Sequence, residues 1–202
     1  AMLDNDIMTL CCTPTYAIRL GQAARDQGID FAASSLARII VAGEPGGSMP
    51  ATRAQIESLF PRVRVCDHHG MTEVGPVSYQ LPNEPTTLHV IDDAYFVQVI
   101  DPRTCENIAP GAEGEMVLTT LGRVACPLLR YRTGDLVVFH DRDDPAQGLA
   151  FAGRMAEEFK LSNGTWVYGG QMRDKLLKAL NEELAEIVLA DDGAPFLGPL
   201  AW

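Results

Sequence analysis

Short apolar runs and amphipathic stretches alternate through the first 75 residues. Three apolar runs have the length of buried strands: residues 7–12, 39–42 and 63–66. Between them, residues 15–27 and 50–60 place apolar side chains at helical spacing, and a proline stands at the start of each stretch. Strand, helix, strand, helix, strand is the order of a parallel sheet with covering helices. We therefore predict an α/β fold with a parallel sheet for this part.

After Gly75 the pattern changes to short alternating segments that are typical of strands: residues 88–91, 95–100, 115–119 and 136–140. Turn sequences such as Asp101-Pro102 and Pro110-Gly111 separate them. This pattern predicts a β-rich subdomain.

The last fifty residues combine a hairpin signal with a helical stretch. Asn163-Gly164 predicts a hairpin between the apolar segments 159–161 and 166–168. A helix at 173–184 and a strand at 186–190 would begin a small α+β C-terminal domain. The predicted domains are an α/β part of a large domain at 1–78, the β-rich subdomain at 79–152, and a hinge with the start of the C-terminal domain at 153–202.

Composition narrows the classes of function. The chain has 202 residues, 47% of them hydrophobic, which is enough to bury a sizeable core. A net charge of -11 opposes binding to a phosphate backbone and disfavours a nucleic-acid partner. No uninterrupted apolar stretch approaches the roughly 18 residues of a membrane span, so no membrane partner is expected. Five cysteines without a CxxC pair favour reduced thiols in a cytoplasmic protein.

A first polar cluster follows the third predicted strand and reads His68-His69-Gly70-Met71-Thr72-Glu73. Side chains at the carboxyl end of a parallel strand lie where open α/β sheets bind ligands. Gly70 lets backbone approach a ligand closely, the Thr72 hydroxyl can donate to a phosphate oxygen, and the Glu73 carboxylate can hold Mg²⁺. The alternative interpretation is a polar loop in which Thr72 caps a helix.

Two further clusters lie in the second half of the chain. In Tyr131-Arg132-Thr133-Gly134-Asp135, an aspartate after a glycine turn can accept hydrogen bonds from both ribose hydroxyls. The alternative is a type I or II turn with a solvated Asp135. Gly153-Arg154 can form a pivot whose arginine reaches a phosphate, or an exposed turn with ordinary surface charge.

The order and spacing of the three clusters resemble the adenylate-forming superfamily of acyl-CoA synthetases, luciferases and peptide-synthetase adenylation domains. Within it, the chain is most similar to phenylacetate–CoA ligases over nearly its whole length. Further matching segments are Ala42-Gly43-Glu44-Pro45, Leu88-His89-Val90, Val99-Ile100-Asp101-Pro102, Leu118-Thr119-Thr120-Leu121 and Pro127-Leu128-Leu129-Arg130. Residues 159–167 are closer to aryl-CoA synthetases of the feruloyl type.

The resemblance implies an enzyme that activates an aryl or acyl carboxylic acid with ATP and Mg²⁺, and transfers it as an acyl-adenylate to a thiol such as coenzyme A. Around the base, the implied contacts are Gly43, Glu44 and Pro45 bordering the adenine, Asp67 at its amino edge, and His69 stacked on it. Gly70 and Met71 are also implied to bind the nucleotide. Around the phosphate and sugar, they are Thr72 at the α-phosphate, Glu73 on Mg²⁺, Asp135 on the ribose, and Arg154 near the ribose or phosphate. Thr72, Glu73 and Arg154 are the expected catalytic residues.

The chain departs from the family pattern at the phosphate loop and the hinge. It has no Ser/Thr/Gly-rich loop upstream of Gly43-Glu44-Pro45, and Ala156 replaces the usual Asp or Lys after Gly-Arg. The catalytic lysine would lie beyond Trp202, and Lys160 is an imperfect substitute for it. We therefore expect part of a longer enzyme, weak or inactive by itself. The alternative from another class is a non-catalytic nucleotide-binding or scaffolding module that kept the fold.

Histidine and cysteine residues raise the question of zinc. The potential ligands are His68, His69, His89, Cys66 and Cys126, whose spacing fits no standard zinc site. Buried cysteines and hydrogen-bonded histidines are the simpler interpretation. The sequence leaves open which acid is activated, which thiol accepts it and whether the protein forms a homo-oligomer.

Overall fold

A computed structural model gives the fold of this protein. It describes residues 5–44, 46–81, 83–140, 147–162, 165–169, 172, 175–176, 179–180, 187–190 and 198–201. The chain forms two compact units, Ala1–Ile91 and Asp92–Trp202. No helix in the described ranges combines the length and the apolar character that a membrane crossing requires.

The first unit is a five-stranded mixed sheet with two helices. Its elements are β1 (Thr9–Cys12), α1 (Pro14–Asp26), β2 (Arg38–Val41), α2 (Pro50–Leu59), β3 (Arg64–Met71), β4 (Gly75–Gln80) and β5 (Leu88–Val90). Strands β1, β2 and β3 pair in parallel, while β4 and β5 continue the sheet antiparallel. The predicted parallel sheet with covering helices is confirmed.

Helix α1 follows the start and stop signals in its sequence. Pro14 occupies the first turn, where its missing N–H costs nothing, and the Thr13 hydroxyl accepts a hydrogen bond from the Tyr16 N–H at 3.2 Å. After the helix, Gly28 adopts a positive φ of 67°, which favours glycine. The helices and strands share one apolar core, whose fully buried members include Ala17, Ile39, Val41, Ile56 and Phe60.

The second unit is built from antiparallel strands. Its main sheet has the order β9–β8–β7–β6, formed by β6 (Tyr95–Ile100), β7 (Glu113–Thr120), β8 (Tyr131–Phe139) and β9 (Leu149–Arg154). Two hairpins follow, β10 (Glu158–Lys160) with β11 (Trp166–Tyr168), and β12 (Ile187–Ala190) with β13 (Gly198–Ala201). The predicted β-rich region, the hairpin at 159–168 and the strand at 186–190 are confirmed. Most of the helix predicted at 173–184 lies outside the described residues, and the domain boundaries after residues 78 and 152 stay predictions.

The first polar cluster up to Met71 and the whole of the second lie inside strands, contrary to the sequence-based expectation. Strand β3 continues past Cys66 to Met71, and β4 follows it after a turn, so the interpretation of Thr72 as a helix cap is wrong. The segment 132–135 belongs to β8 and does not separate two strands. Glycine and polar residues were mistaken for turn signals because an irregular strand accommodates them too.

Helix α1 packs so closely on the end of α2 that an added methyl group would clash there. A Cβ added at Gly21 would lie 2.6 Å from the Cβ of Leu59 and 2.9 Å from a ring carbon of Phe60. We expect Gly21→Ala to lower the free energy of unfolding by about 1–3 kcal/mol, because overpacking outweighs the better helix propensity of alanine. Urea unfolding measures the change. Gln22→Ala, at an exposed position of the same helix, is the control and should be neutral or slightly stabilising; a stabilised Gly21→Ala variant would contradict the packing.

Candidate functional site

The Glu44 carboxylate caps the start of helix α1. Its Oε2 accepts hydrogen bonds from the Thr15 N–H at 3.2 Å and from the Thr15 hydroxyl at 2.6 Å. A carboxylate is favourable there because the first N–H groups of a helix are unsatisfied and carry partial positive charge. The Glu44 side chain is therefore bound to Thr15 within the first unit. The preceding residue, Gly43, is exposed. Pro45 lies outside the described residues.

Asp67 is held at its place on β3 by a polar network. Its Oδ2 accepts a hydrogen bond from the Ser48 hydroxyl at 2.5 Å, and its Oδ1 accepts one from the His68 N–H at 2.9 Å. The Asp67 N–H in turn donates to Oε1 of Gln80 at 2.7 Å. The side chain thus keeps a fixed orientation, and its oxygens can accept a hydrogen bond from a donor such as an amino group on a ligand.

Gln80 and Arg53 form the buried centre of this network. Gln80 is 7% exposed, and its side-chain amide donates to Ser48 Oγ at 3.1 Å and to the Pro85 carbonyl. The Arg53 guanidinium donates to the Gln80 Oε1 and to the Val65 carbonyl. Since the buried polar groups satisfy one another, the network can fix Asp67 without a large desolvation penalty.

Gly47 is needed for the backbone to pass close to Asp67. A Cβ at this position would lie 2.5 Å from Cγ of Asp67 and 2.5 Å from a methyl group of Val41. Close packing therefore requires glycine at this position of the glycine-rich segment after Glu44.

Thr72 and Glu73 occupy the exposed tip of the turn between β3 and β4. The Val74 N–H donates to the Met71 carbonyl at 3.3 Å, and Gly75 leaves the turn with a φ of 85°. A Cβ at Gly70 would meet the Gly75 carbonyl oxygen at 2.8 Å, so this position also requires glycine. Thr72 and Glu73 are thus consecutive exposed residues at a strand end, and His69 is half-buried on the preceding strand.

Asp135 is a buried carboxylate with an arginine partner. The residue is 3% exposed, and it pairs with Arg154 across β8 and β9. The distance between the Arg154 Nε and the Asp135 Oδ1 is 3.1 Å, while the Arg154 side chain remains 51% exposed. The predicted ribose and phosphate residues of the second unit are therefore adjacent. The solvated-turn alternative for Asp135 is wrong, because the side chain is buried within a strand.

A second buried carboxylate, Glu115, holds the segment before Asp135. Its Oε2 accepts from the Arg132 Nε at 2.7 Å, and its Oε1 accepts from the Gly134 N–H at 3.2 Å. The Thr133 hydroxyl donates to the Met116 carbonyl at 2.8 Å and accepts from the Asp135 N–H at 3.1 Å. The conformation of residues 132–135 is thus fixed by side chains as much as by the strand ladder.

Sequence reasoning missed the residues that support these clusters. Ser48, Arg53 and Gln80 carry no local signal, since their role depends on contacts between distant parts of the chain. Glu115 had one signal, a charge within the apolar alternation of a predicted strand, which indicates a buried and paired group.

The described His, Cys, Asp and Glu side chains indicate neither a metal site nor a reactive thiol. In the described ranges, no three His, Cys, Asp or Glu side chains are grouped so as to hold a metal ion. The five cysteines are free thiols. Burial raises the pKa of the Cys12 thiol, and the neighbouring Cys11 and Glu44 raise it further, which disfavours a reactive thiolate at Cys12.

Comparison with known proteins relates these clusters to one group of enzymes. No protein-family model matches the chain. The phenylacetate–CoA ligase of Thermus thermophilus is 36% identical over 129 residues, which cover 63% of this chain and 28% of that protein. The Pseudomonas putida phenylacetate–CoA ligase is 28% identical over 185 residues, covering 90% of this chain and 42% of the relative.

The chain is thus similar in sequence to phenylacetate–CoA ligases. It spans 28% to 42% of the length of these curated relatives. The resemblance inferred from the sequence motifs is thereby confirmed.

Solved structures of CoA ligases share the fold of this chain. A 2-hydroxyisobutyryl-CoA ligase in the postadenylation state matches 99% of this chain with a TM-score of 0.85 at 22% identity, over 44% of its own length. An anthranilate–CoA ligase in complex with anthranoyl-AMP matches 96% of the chain with a TM-score of 0.69 at 18% identity, over 38% of its length. The chain therefore has the fold of adenylate-forming ligases.

The environment of Glu158, which follows the Gly153-Arg154 segment, can be tested by the pH dependence of stability. Burial raises the pKa of this carboxyl, and the negative charge of Glu113 raises it further. Because the folded protein binds this proton more tightly than the unfolded chain, ionised Glu158 opposes folding at neutral pH.

We expect Glu158→Gln to raise the free energy of unfolding at pH 7, measured by urea unfolding, by less than about 1 kcal/mol because solvent screens a partly exposed carboxyl. The gain should shrink as the pH falls through the raised pKa and vanish below the ordinary range of a glutamate, where the wild-type carboxyl is protonated in both states. Exposed Glu106→Gln is the control. A gain that persists unchanged at low pH would refute the assigned cause.

Proposed function

We propose that this chain is part of an ATP-dependent acid–CoA ligase, which converts an aryl or acyl carboxylate to an acyl-adenylate and then to the thioester of coenzyme A. The observation that carries the proposal is the 36% sequence identity with a phenylacetate–CoA ligase over 129 residues. The buried, arginine-paired carboxylate at Asp135 supports it independently.

Asp135 is proposed to bind the ribose. One carboxylate oxygen lies against Arg154, and a carboxylate has further lone pairs that can accept from two adjacent hydroxyls. Burial strengthens such hydrogen bonds because few water molecules compete for the carboxylate. Arg154, half exposed beside it, is proposed to reach the sugar or a phosphate oxygen and to stabilise the charge that develops there.

Thr72 and Glu73 are proposed to bind the α-phosphate and Mg²⁺. A hydroxyl donor and a hard carboxylate oxygen at an exposed turn fit these partners. Mg²⁺ would be held by the Glu73 carboxylate together with phosphate oxygens of the nucleotide. That is an ordinary arrangement for this ion, which supplies charge neutralisation when bound.

The adenine is proposed to lie against Gly43, Glu44 and Pro45 and to stack on His69. The oriented Asp67 carboxylate suits a base that presents an amino group, and it would repel one that presents a carbonyl oxygen. The capping contact of Glu44 with Thr15 supports a framework role for its carboxylate, so its backbone is the part that would border the base.

A non-catalytic nucleotide-binding module remains the second candidate, and Ala156 favours it. This residue lies in a short 3₁₀ turn, Met155–Glu157, directly after Arg154. Alanine offers neither the charge nor the hydrogen bonds of the usual pivot residue. Such a module would bind ATP without forming an adenylate. In either case we place the protein in the cytoplasm, with a small carboxylic acid and ATP as its partners in the ligase case.

Acid-dependent exchange of pyrophosphate into ATP by the full-length protein tests the ligase proposal. We expect exchange with at least one aryl or acyl acid, and we expect Asp135→Asn to weaken ATP binding by roughly 10²-fold, because hydrogen bonds to a charged group are lost. Calorimetry with ATP and AMP measures the binding. Asp93→Asn, an exposed change in the same unit, is the control.

Each outcome separates the candidates. ATP binding without exchange for any acid favours the non-catalytic module. Equal ATP affinity of the wild type and Asp135→Asn removes the ribose assignment, whereas unchanged affinity in Asp93→Asn shows that the loss at Asp135 is specific.

A further inference from the structure

Strand β8 contains a bulge just before Asp135. On one side of it Val117 pairs with Arg132, and on the other side Glu115 pairs with Leu136. Met116 alone therefore faces the three residues 133–135. A bulge of this size leaves backbone groups outside the strand ladder and redirects the side chains that it carries.

The Glu115 carboxylate supplies the acceptor that the bulge lacks. The Gly134 N–H, displaced from the ladder, donates to the Glu115 Oε1 at 3.2 Å, and Gly134 adopts a φ of 73° that glycine permits. The same carboxylate binds the Arg132 guanidinium through its other oxygen, and its side chain is only 3% exposed. Arg132 in turn donates to the Pro102 carbonyl at 2.9 Å, so the bulge is tied to the loop after β6.

Three linked contacts lead from Glu115 to Asp135. The carboxylate fixes Gly134, the Thr133 hydroxyl bonds to the Met116 carbonyl, and the Asp135 N–H donates to the same hydroxyl at 3.1 Å. Residues on both sides of the peptide before Asp135 are thereby held. Burying a carboxylate against a half-exposed arginine costs desolvation free energy. Strand pairing alone does not require it, because an apolar residue would stabilise an ordinary strand as well.

We propose that Glu115 is a positioning residue for nucleotide binding: it shapes the bulge at Thr133-Gly134 so that the Asp135 carboxylate faces the ribose hydroxyls. The inference rests on the proposed function, since it acts through the ribose contact of Asp135. Glu115 itself touches no nucleotide.

Two nucleotides distinguish positioning from general support of the fold. The full-length protein and its Glu115→Gln variant are titrated with ATP and with 2′,3′-dideoxy-ATP, which lacks both hydroxyls. The amide keeps the size of the side chain but presents an N–H₂ donor where a carboxylate oxygen met a donor. We expect the variant to lose about tenfold or more in affinity for ATP and less than about twofold for the dideoxy nucleotide. Exposed Glu106→Gln, with the same change of charge, should alter neither affinity.

Equal losses for the two nucleotides, or no loss for ATP, would overturn the positioning role. A wild type that binds ATP and dideoxy-ATP equally well would instead remove the ribose assignment of the proposed function, and the positioning role with it.

Amide hydrogen exchange in the unmodified protein tests the bulge without any nucleotide or variant. The Gly134 N–H should exchange far more slowly than that of Gly122, whose residue is exposed. This measurement needs only the unmodified protein, so it tests the bulge even when the Glu115→Gln variant does not fold. Exchange of Gly134 at the rate of Gly122 would show that the Glu115 hydrogen bond does not hold the bulge.

Discussion

Two ionisable carboxylates are buried on adjacent strands of the second unit, and the candidate site depends on how their charge is compensated. Glu115 is 2% exposed and Asp135 is 3% exposed. A carboxylate without partners would cost several kcal/mol in such a place. Each is paired with an arginine whose side chain is about half exposed, Arg132 with Glu115 and Arg154 with Asp135. The compensation leaves Asp135 oriented and Arg154 accessible, which is the condition for a polar ligand to be recognised at this strand.

The sequence predicted the regular elements and missed the irregular ones, for physical reasons. Helix α1, strands β1 and β2 and the first part of β3 follow from apolar periodicity, Pro14 and Gly28, because local forces determine them. Strand β4 and the first half of β8 were missed, since Gly75 and Gly134 are typical of turns and only pairing with distant strands places them within a sheet. The motif residues could be identified by resemblance, yet the support from Gln80 and Glu115 could not, because the register that brings them into contact is set by the whole sheet.

In the first unit, as in the second, residues distant in sequence orient a carboxylate through hydrogen bonds. Gln80, Ser48 and the backbone of β3 orient Asp67, while Gly47 provides the space for its carboxylate. Glu44 is engaged at the start of α1, so a residue matched to a nucleotide motif also stabilises the fold. Sequence similarity to phenylacetate–CoA ligases covers 63% to 90% of this chain but at most 42% of those relatives. The described clusters contain the residues of the proposed nucleotide contacts apart from Pro45.

The central claim is that the buried Asp135 carboxylate binds the ribose of a nucleotide. An experimental structure of the full-length protein with bound AMP tests it most directly. We predict the ribose hydroxyls within about 3 Å of the Asp135 carboxylate. AMP bound with its ribose away from Asp135 would contradict the account.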